Sequence, residues 1–135
     1  MTVTYEWLEQ QAILVLNVSG NWLWEEFHEA SVGYSQITDN LDQRFDILID
    51  FTEASAKIPT AGFANIASLS KRGEATGHWG IAAMVMPFTV YRSVMQMFAR
   101  LYPRLGTHFV IVKTVADAHE AIRQKRSEDA KDTIE

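Results

Sequence analysis

The sequence is poor in the residues that mark several large protein classes. It contains no cysteine, three prolines and seven glycines among 135 residues. Without cysteine the chain can form no disulfide, thiolate metal site or thiol nucleophile, and we predict a location in the reducing cytoplasm. No apolar run approaches the roughly 18 to 20 residues that cross a bilayer, and the start MTVTYEWLEQ lacks the basic and apolar segments of an export signal. We therefore expect a protein that neither spans a membrane nor is exported.

Basic residues are also scarce. Lysine and arginine together number 12 against 17 acidic residues, which gives a formal net charge of −5. Because affinity for phosphate backbones rests on clustered positive charge, we expect no nucleic-acid partner. What the chain does contain is ordinary for a globular protein, with 47% hydrophobic and 21% charged residues. Its length suits one domain.

The first half of the chain alternates between strand and helix patterns. TYEWLEQ and AILVLNVS are strand-like runs separated by Gln10 and Gln11, which predicts a hairpin. Helical spacing begins at Trp22, and we expect Asn40 to end it. The inward face of this helix is predicted to carry Trp24, Phe27, Ser31, Tyr34 and Ile37. FDILIDF then has the composition of a strand that is buried on both faces.

The second half continues the alternation. A second helix is predicted from Ala61 to Arg72, before Gly73. HWGIAAMVM predicts a buried strand that ends at Pro87, and a third helix ends near Tyr102 because Pro103 follows it. HFVIVKT predicts the last strand and VADAHEAIRQKR the last helix, with Thr114 and Asp117 in capping positions. The inward-facing residues of that helix are predicted to be Val115, Ala118 and Ile122.

The order β-β-α-β-α-β-α-β-α predicts the α/β class, with a single domain built on a mixed, mainly parallel sheet backed by helices. We assign residues 1–124 to this domain. The highly charged segment 125–135 is expected to fray.

Sequence patterns that carry catalysis or bind metals are missing. There is no Gly-rich phosphate loop and no G-x-S-x-G elbow, and none of the four histidines belongs to an H-E-x-x-H pair. Asp46 and Asp50 bracket one predicted strand, but at ~3.3 Å per residue they lie about 13 Å apart, too far to share a proton. We therefore predict no enzymatic activity, no cofactor and no metal site.

Three segments resemble the STAS superfamily, the fold of anti-sigma-factor antagonists, and within it the SpoIIAA-like group. DILIDF is similar to the central strand that ends in Asp in these proteins. PTAGFANIASL occupies the place of their D-S-S-G-L-G helix start, and IAAMVM with the later HFVIVKTVADAHEAI is similar to their closing strand, helix, strand and helix. The resemblance covers roughly residues 5 to 124. It implies a role in protein recognition, or in binding a small or lipid-like ligand, rather than catalysis.

The same resemblance singles out Thr60. With Gly62 aligned to the motif glycine, the phosphoacceptor serine of the antagonists falls on Thr60, their second serine on Ala61 and their preceding aspartate on Pro59. Independently of the resemblance, a threonine just before a helix suits the N-cap, where its hydroxyl accepts a backbone N–H. Thr60 is therefore a candidate helix cap or phosphoacceptor.

The predicted third helix, TVYRSVMQMFARLY, carries more apolar surface than one core-facing stripe requires. A second stripe, formed by Tyr91, Met95 and Tyr102, runs beside the one that should face the sheet. Either another part of the chain covers this second stripe, or it is the contact of a homodimer or a ligand groove, since Met and Tyr are common at adaptable contact surfaces.

Two functions follow as hypotheses. The first is a non-enzymatic STAS-like protein-interaction or regulatory module, with a protein partner or a homodimer; its contact surface is predicted to include Lys57, Pro59, Gly62, Phe63, Tyr91, Met95 and Tyr102. The second is a small binding protein for an apolar or lipid-like ligand. In that case the residues that otherwise form core would line a cavity, namely Trp22, Trp24, Trp79, Phe88, Met84, Met86, Met95 and Met97.

Overall fold

The computed structural model describes residues 2–55, 79–87, 93 and 109–134. These residues form five strands and two helices, in the order β1 (Val3–Leu8), β2 (Ile13–Gly20), α1 (Trp24–Thr38), β3 (Phe45–Ala54), β4 (Trp79–Val85), β5 (Phe109–Val112) and α2 (Val115–Ile134). The strands make one sheet in the order β1-β2-β3-β4-β5. The α/β class and the mixed sheet are thus confirmed, whereas the second and third predicted helices lie outside the described residues.

The predicted hairpin is present at the start of the sheet. β1 pairs antiparallel with β2, and Leu8 lies opposite Ile13. The turn between them is closed by the N–H of Gln11, which donates to the Leu8 carbonyl at 3.2 Å. Ala12 adopts a φ of 53° at the end of this turn, a left-handed conformation that is uncommon for a residue with a Cβ.

The remaining strands are parallel, and the sheet is apolar on both faces. β2 pairs with β3, β3 with β4 and β4 with β5, each in parallel. Because side chains alternate along a strand, each strand contributes to two layers. One layer contains Leu14, Leu16, Val18, Ile49, Phe51, Met84 and Met86 together with Phe27 of α1. The other contains Ile13, Leu48, Ile81, Ala83 and Val85 together with Ala118 and Ile122 of α2.

Helix α1 begins one turn after the end of β2. The Glu26 carboxylate accepts the Leu23 N–H at 3.1 Å, which satisfies one donor at the helix start. Within the predicted inward face, Phe27 and Ser31 are buried while Tyr34 and Ile37 are half-buried. The predicted end is also correct: the helix stops at Thr38, and the Asn40 side-chain amide donates to the Gln36 carbonyl at 2.7 Å.

Helix α2 starts with the predicted cap. The Thr114 hydroxyl accepts the Asp117 N–H at 3.1 Å. Ala118 and Ile122 are buried as predicted. The prediction for Val115 was wrong, because Val115 is 39% exposed. Val115 is the first residue of the helix and follows the end of β5 at Val112 by three residues, so no preceding helical turn covers it.

Helix α2 also continues well past Gln124. It runs to Ile134 without a break, and Arg126 and Asp129 in this part make ion pairs with residues of the sheet region. The sequence-based boundary at residue 124 therefore falls inside a helix. The fraying of residues 125–135 is a dynamic property and stays a prediction.

Candidate functional site

The four parallel strands, β2 to β5, have their carboxyl ends on the same side of the sheet. We call this side, where the strands end, the carboxyl edge. Open α/β folds bind ligands most often at this edge. Two backbone hydrogen bonds close it: the Ser55 N–H donates to the Gly20 carbonyl at 2.8 Å, and the Met86 N–H donates to the Val112 carbonyl at 2.9 Å. β2 is therefore joined to β3, and β4 to β5, up to the ends of the strands, which provides a platform for the loops that follow them.

Polar side chains lie level with the last residues of β4 and β5, three to four residues before β2 and β3 themselves end. Asn17 of β2 is opposite Asp50 of β3, and paired residues of parallel strands project from the same face. Asn17 is exposed and Asp50 is half-buried. The Thr52 N–H donates to Asp50 Oδ1 at 2.9 Å, and the Thr52 hydroxyl donates to the same oxygen. Asp50 Oδ1 is therefore fixed by its own strand.

The site residues predicted from the sequence come after β3 and β4 along the chain, and they are not among the described residues. The chain leaves β3 at Ala54 and then enters the segment with Thr60. The candidates that lie outside the described residues are Lys57, Pro59, Thr60, Gly62, Phe63, Tyr91, Met95 and Tyr102. Their contacts with one another and with the carboxyl edge stay predictions.

The opposite edge of the sheet holds a group of ionic side chains that the sequence reasoning missed. We call it the amino-edge cluster, and it consists of Arg44, Asp46, Arg126 and Asp129. Asp46 at the start of β3 is completely buried. Its Oδ2 accepts the Arg126 Nε–H at 2.6 Å. Its Oδ1 accepts the Ile81 backbone N–H at 2.9 Å and an Arg44 Nη2–H at 3.2 Å.

Arg126 joins three parts of the fold. Besides its ion pair with Asp46, it donates from Nη1 to the Gln11 carbonyl at 2.7 Å and from Nη2 to the Ala12 carbonyl at 2.9 Å. One side chain of α2 thus holds the β1–β2 turn and the start of β3 at the same time. Arg44 adds a second link, because its Nη1 donates to Asp129 on α2.

Gly80 is part of the same arrangement. A Cβ added at this position would collide with Asp46 Oδ1 and with the guanidinium group of Arg44. The β4 backbone has to come close to the cluster so that the neighbouring Ile81 N–H can reach Asp46. Glycine is the residue that permits this approach.

The amino-edge cluster is better suited to holding the fold than to chemistry. Both oxygens of Asp46 already accept hydrogen bonds, and the two arginines that face it supply the compensating charge. The cluster also lies at the edge opposite the one where α/β proteins bind their ligands. We therefore place the candidate functional site at the carboxyl edge. The amino-edge cluster stabilises the fold.

Burial acts to raise the pKa of Asp129, but the hydrogen bonds from Arg44 and Lys125 outweigh it and hold the pKa below the ordinary value. Lys125 Nζ lies 3.3 Å from Asp129 Oδ1. The carboxylate is therefore ionised throughout the physiological range. Its charge is what keeps Arg44 directed toward α2.

This ion pair should make stability pH-dependent at acid pH. Since the folded pKa of Asp129 is below the unfolded one, the carboxylate contributes stability above its ordinary pKa of 3.8, and the contribution disappears as the pH falls through the folded value. We expect Asp129→Asn to be less stable than the wild type near neutral pH, by at most about 1 kcal/mol because over a third of the side chain is exposed. Urea titrations from neutral to strongly acid pH should show the two proteins converge, with the exposed Glu128→Gln as control. A difference that stays constant with pH would contradict this account.

Two classes of function receive no support from the described residues. Within the parts of the chain that the structure describes, no three His, Cys, Asp or Glu side chains lie close enough together to hold a metal ion. The same parts contain no helix with the length and apolar character needed to cross a membrane.

The chain matches no model of a known protein family and no curated protein sequence. The similarity to the STAS superfamily therefore rests on the three motifs quoted above, and membership of that superfamily stays a prediction.

Proposed function

We propose that this chain is a non-enzymatic, STAS-like regulatory module that binds a protein partner at the carboxyl edge of its sheet. The contact surface extends over residues 57–63, and Thr60 is the regulatory position within it. The observation that carries the proposal is the position of β3: it pairs in parallel with both β2 and β4, and its carboxyl end leads directly into that segment.

Chain length keeps Thr60 near the platform. Thr60 comes six residues after Ala54 in the sequence, and at ~3.3 to 3.6 Å per residue this distance is at most about 22 Å. A partner that binds at Thr60 is therefore also within reach of the end of β3 at Ala54 and, four residues before it, of Asp50 opposite Asn17. Polar groups of this kind suit a rim of a protein interface, where contacts stay solvated.

As the N-cap of the helix predicted to begin at Ala61, Thr60 is suited to regulation of partner binding by phosphorylation. A phosphate added to an N-cap hydroxyl meets unpaired N–H groups and the positive end of the helix dipole. Its charge of about −2 would then change the surface that a partner meets without unfolding the helix. Pro59 and Ala61 replace the acidic residue and the second serine of the antagonist motif, and both replacements count against a switch identical to that of the antagonists.

The test compares wild type, Thr60→Ala and Thr60→Glu for stability and for recovery of partners from the native cell. Thr60→Ala should lower the free energy of unfolding by about 1 kcal/mol, as loss of an N-cap does. Thr60→Glu should change the set of recovered partners, and phosphopeptide mapping should find phosphothreonine at this position.

Thr114→Ala is the matched control, because it removes the cap of α2 and should cost a similar amount of stability. It should leave the recovered partners unchanged. If all the Thr60 variants recover the same partners as wild type and no phosphothreonine is found, Thr60 is a helix cap and the proposed switch is wrong.

A further inference from the structure

The outer side of β1 is a second surface that could bind a partner, through the backbone N–H and C=O groups of an end strand. β1 is the end strand of the described sheet, with β2 on one side and no described strand on the other. Thr4, Tyr5 and Glu6 in its middle are exposed. An end strand of this kind presents a row of backbone N–H and C=O groups that can pair with another strand.

The hydrogen-bond pattern fixes which residues present those groups. The Ser19 N–H donates to the Thr2 carbonyl at 2.8 Å, and Val3 lies opposite Val18. In an antiparallel pair, hydrogen-bonded and non-hydrogen-bonded positions alternate. The even-numbered residues of β1 therefore bond to β2, and Val3, Tyr5 and Trp7 direct their N–H and C=O groups outward.

The sequence and pairing of β1 show few of the features by which proteins protect such edges. Its sequence VTYEWL contains no lysine, proline or glycine, and its pairing with β2 runs from Val3 to Leu8 without a bulge. Edge strands are usually blunted by one of these devices, because an open edge otherwise pairs with another chain. Glu6 is the one charged side chain in the strand, and its position restricts the partners that fit.

We propose that β1 pairs antiparallel with β1 of a second copy of this chain, around a two-fold axis at Tyr5, so that the two sheets continue across the dimer. In this register Val3 lies opposite Trp7 of the second copy and Tyr5 lies opposite Tyr5. All outward groups then find partners, which makes about six inter-chain N–H···O=C bonds, two for each hydrogen-bonded pair. The occupant is a second copy because the outward pattern of β1 is its own complement.

The neighbouring registers are less favourable. A two-fold axis at Glu6 would place two carboxylates directly opposite each other, which is destabilising. An axis at Thr4 would leave the outward groups of Trp7 beyond the end of the described partner strand. In the Tyr5 register, Glu6 instead lies opposite Thr4, a hydroxyl that can donate to it.

The side chains at the axis are already in place. The Tyr5 and Tyr34 rings pack edge to face with centroids 6.2 Å apart. A Cβ added at Gly33 would collide with the Tyr5 ring, so α1 lies directly against it. Tyr5 is 40% exposed despite these contacts, and two such rings would cover each other across the axis. Since a pair of short strands buries less than a standard interface, we expect a dissociation constant in the micromolar range, about 1 to 100 μM.

A single-cysteine scan tests the register, because the chain has no cysteine of its own. Opposite residues at a hydrogen-bonded position have Cα atoms about 5.5 Å apart, within the range of a disulfide. Under mild oxidation Tyr5→Cys should form a covalent dimer faster than Thr4→Cys or Glu6→Cys. Val115→Cys, a position of similar exposure on α2, sets the background of random collisions. Fastest cross-linking at position 6 would overturn the register, and rates equal to the Val115→Cys background would overturn the proposal.

Sedimentation velocity on the cysteine-free chain tests the dimer itself. Wild type should dimerise at high micromolar concentration, and Tyr5→Lys should raise the dissociation constant at least tenfold by opposing two charges at the axis. Val115→Lys carries the same charge change and should dimerise like wild type. A chain that stays monomeric throughout overturns the proposal. So does a dimer that survives Tyr5→Lys but is lost with Met95→Lys, which would assign dimerisation to the predicted third helix.

Discussion

Replacing Asp46 with alanine is expected to lower the free energy of unfolding by about 3 kcal/mol. Removal of one partner from a buried ionic group typically costs about 3 to 5 kcal/mol, because the remaining charges and donors lose their acceptor. The lower end applies here, since Arg44 and Arg126 each keep about a third of their side-chain surface in water, at 31% and 34%. The buried Ile81 N–H would also lose its acceptor. Urea unfolding followed by circular dichroism measures the change.

Asp50→Ala is the matched control for Asp46→Ala. Both aspartates belong to β3, but Asp50 is half-buried and its carboxylate contacts Thr52 of the same strand. Its replacement should cost less than about 1 kcal/mol. Equal costs for the two variants would show that the amino-edge cluster adds nothing beyond an ordinary polar contact. A large cost at Asp46 alone would show that the cluster holds α2 against the sheet.

The parts of the fold that could be predicted from the sequence are those that depend on local periodicity. The hairpin at Gln10 and Gln11, the buried pattern of FDILIDF and the cap at Thr114 each follow from a few consecutive residues, and each is present. Val115 shows where periodicity is insufficient. Helical spacing puts it on the inward side, but it is the first residue of α2 and stays 39% exposed.

The amino-edge cluster could have been predicted in part. Asp46 lies on the same face as Leu48 in a strand that is apolar on both faces, so its burial follows from the pattern. A buried carboxylate requires a cationic partner. Arg126 lies four residues after Ile122 on the same helical face, but 80 residues separate it from Asp46 in the chain. Only the packing of α2 across the sheet brings the two together.

The second large effect on stability is expected when Phe51 is replaced by alanine. Its size decides whether the side chains on the α1 side of the sheet form a packed core or line a cavity for a ligand. Phe51 is 3% exposed. Its ring lies 5.6 Å from that of Trp22, which in turn lies 6.0 Å from Phe27. Trp22, Met84 and Met86 were three of the residues that could have lined a cavity for an apolar ligand, and all three are buried in this layer with Phe51.

We expect Phe51→Ala to lower the free energy of unfolding by about 3 to 5 kcal/mol, the usual cost of removing a buried aromatic ring. Phe51→Leu keeps most of the volume and should cost less than about 1.5 kcal/mol. If this layer instead surrounds a ligand, the ring already borders an open space. Phe51→Ala would then cost little in the ligand-free protein, and native mass spectrometry of the wild type from cells would show an apolar molecule bound. A large loss of stability together with a ligand-free mass would establish that these aromatic and methionine side chains are core.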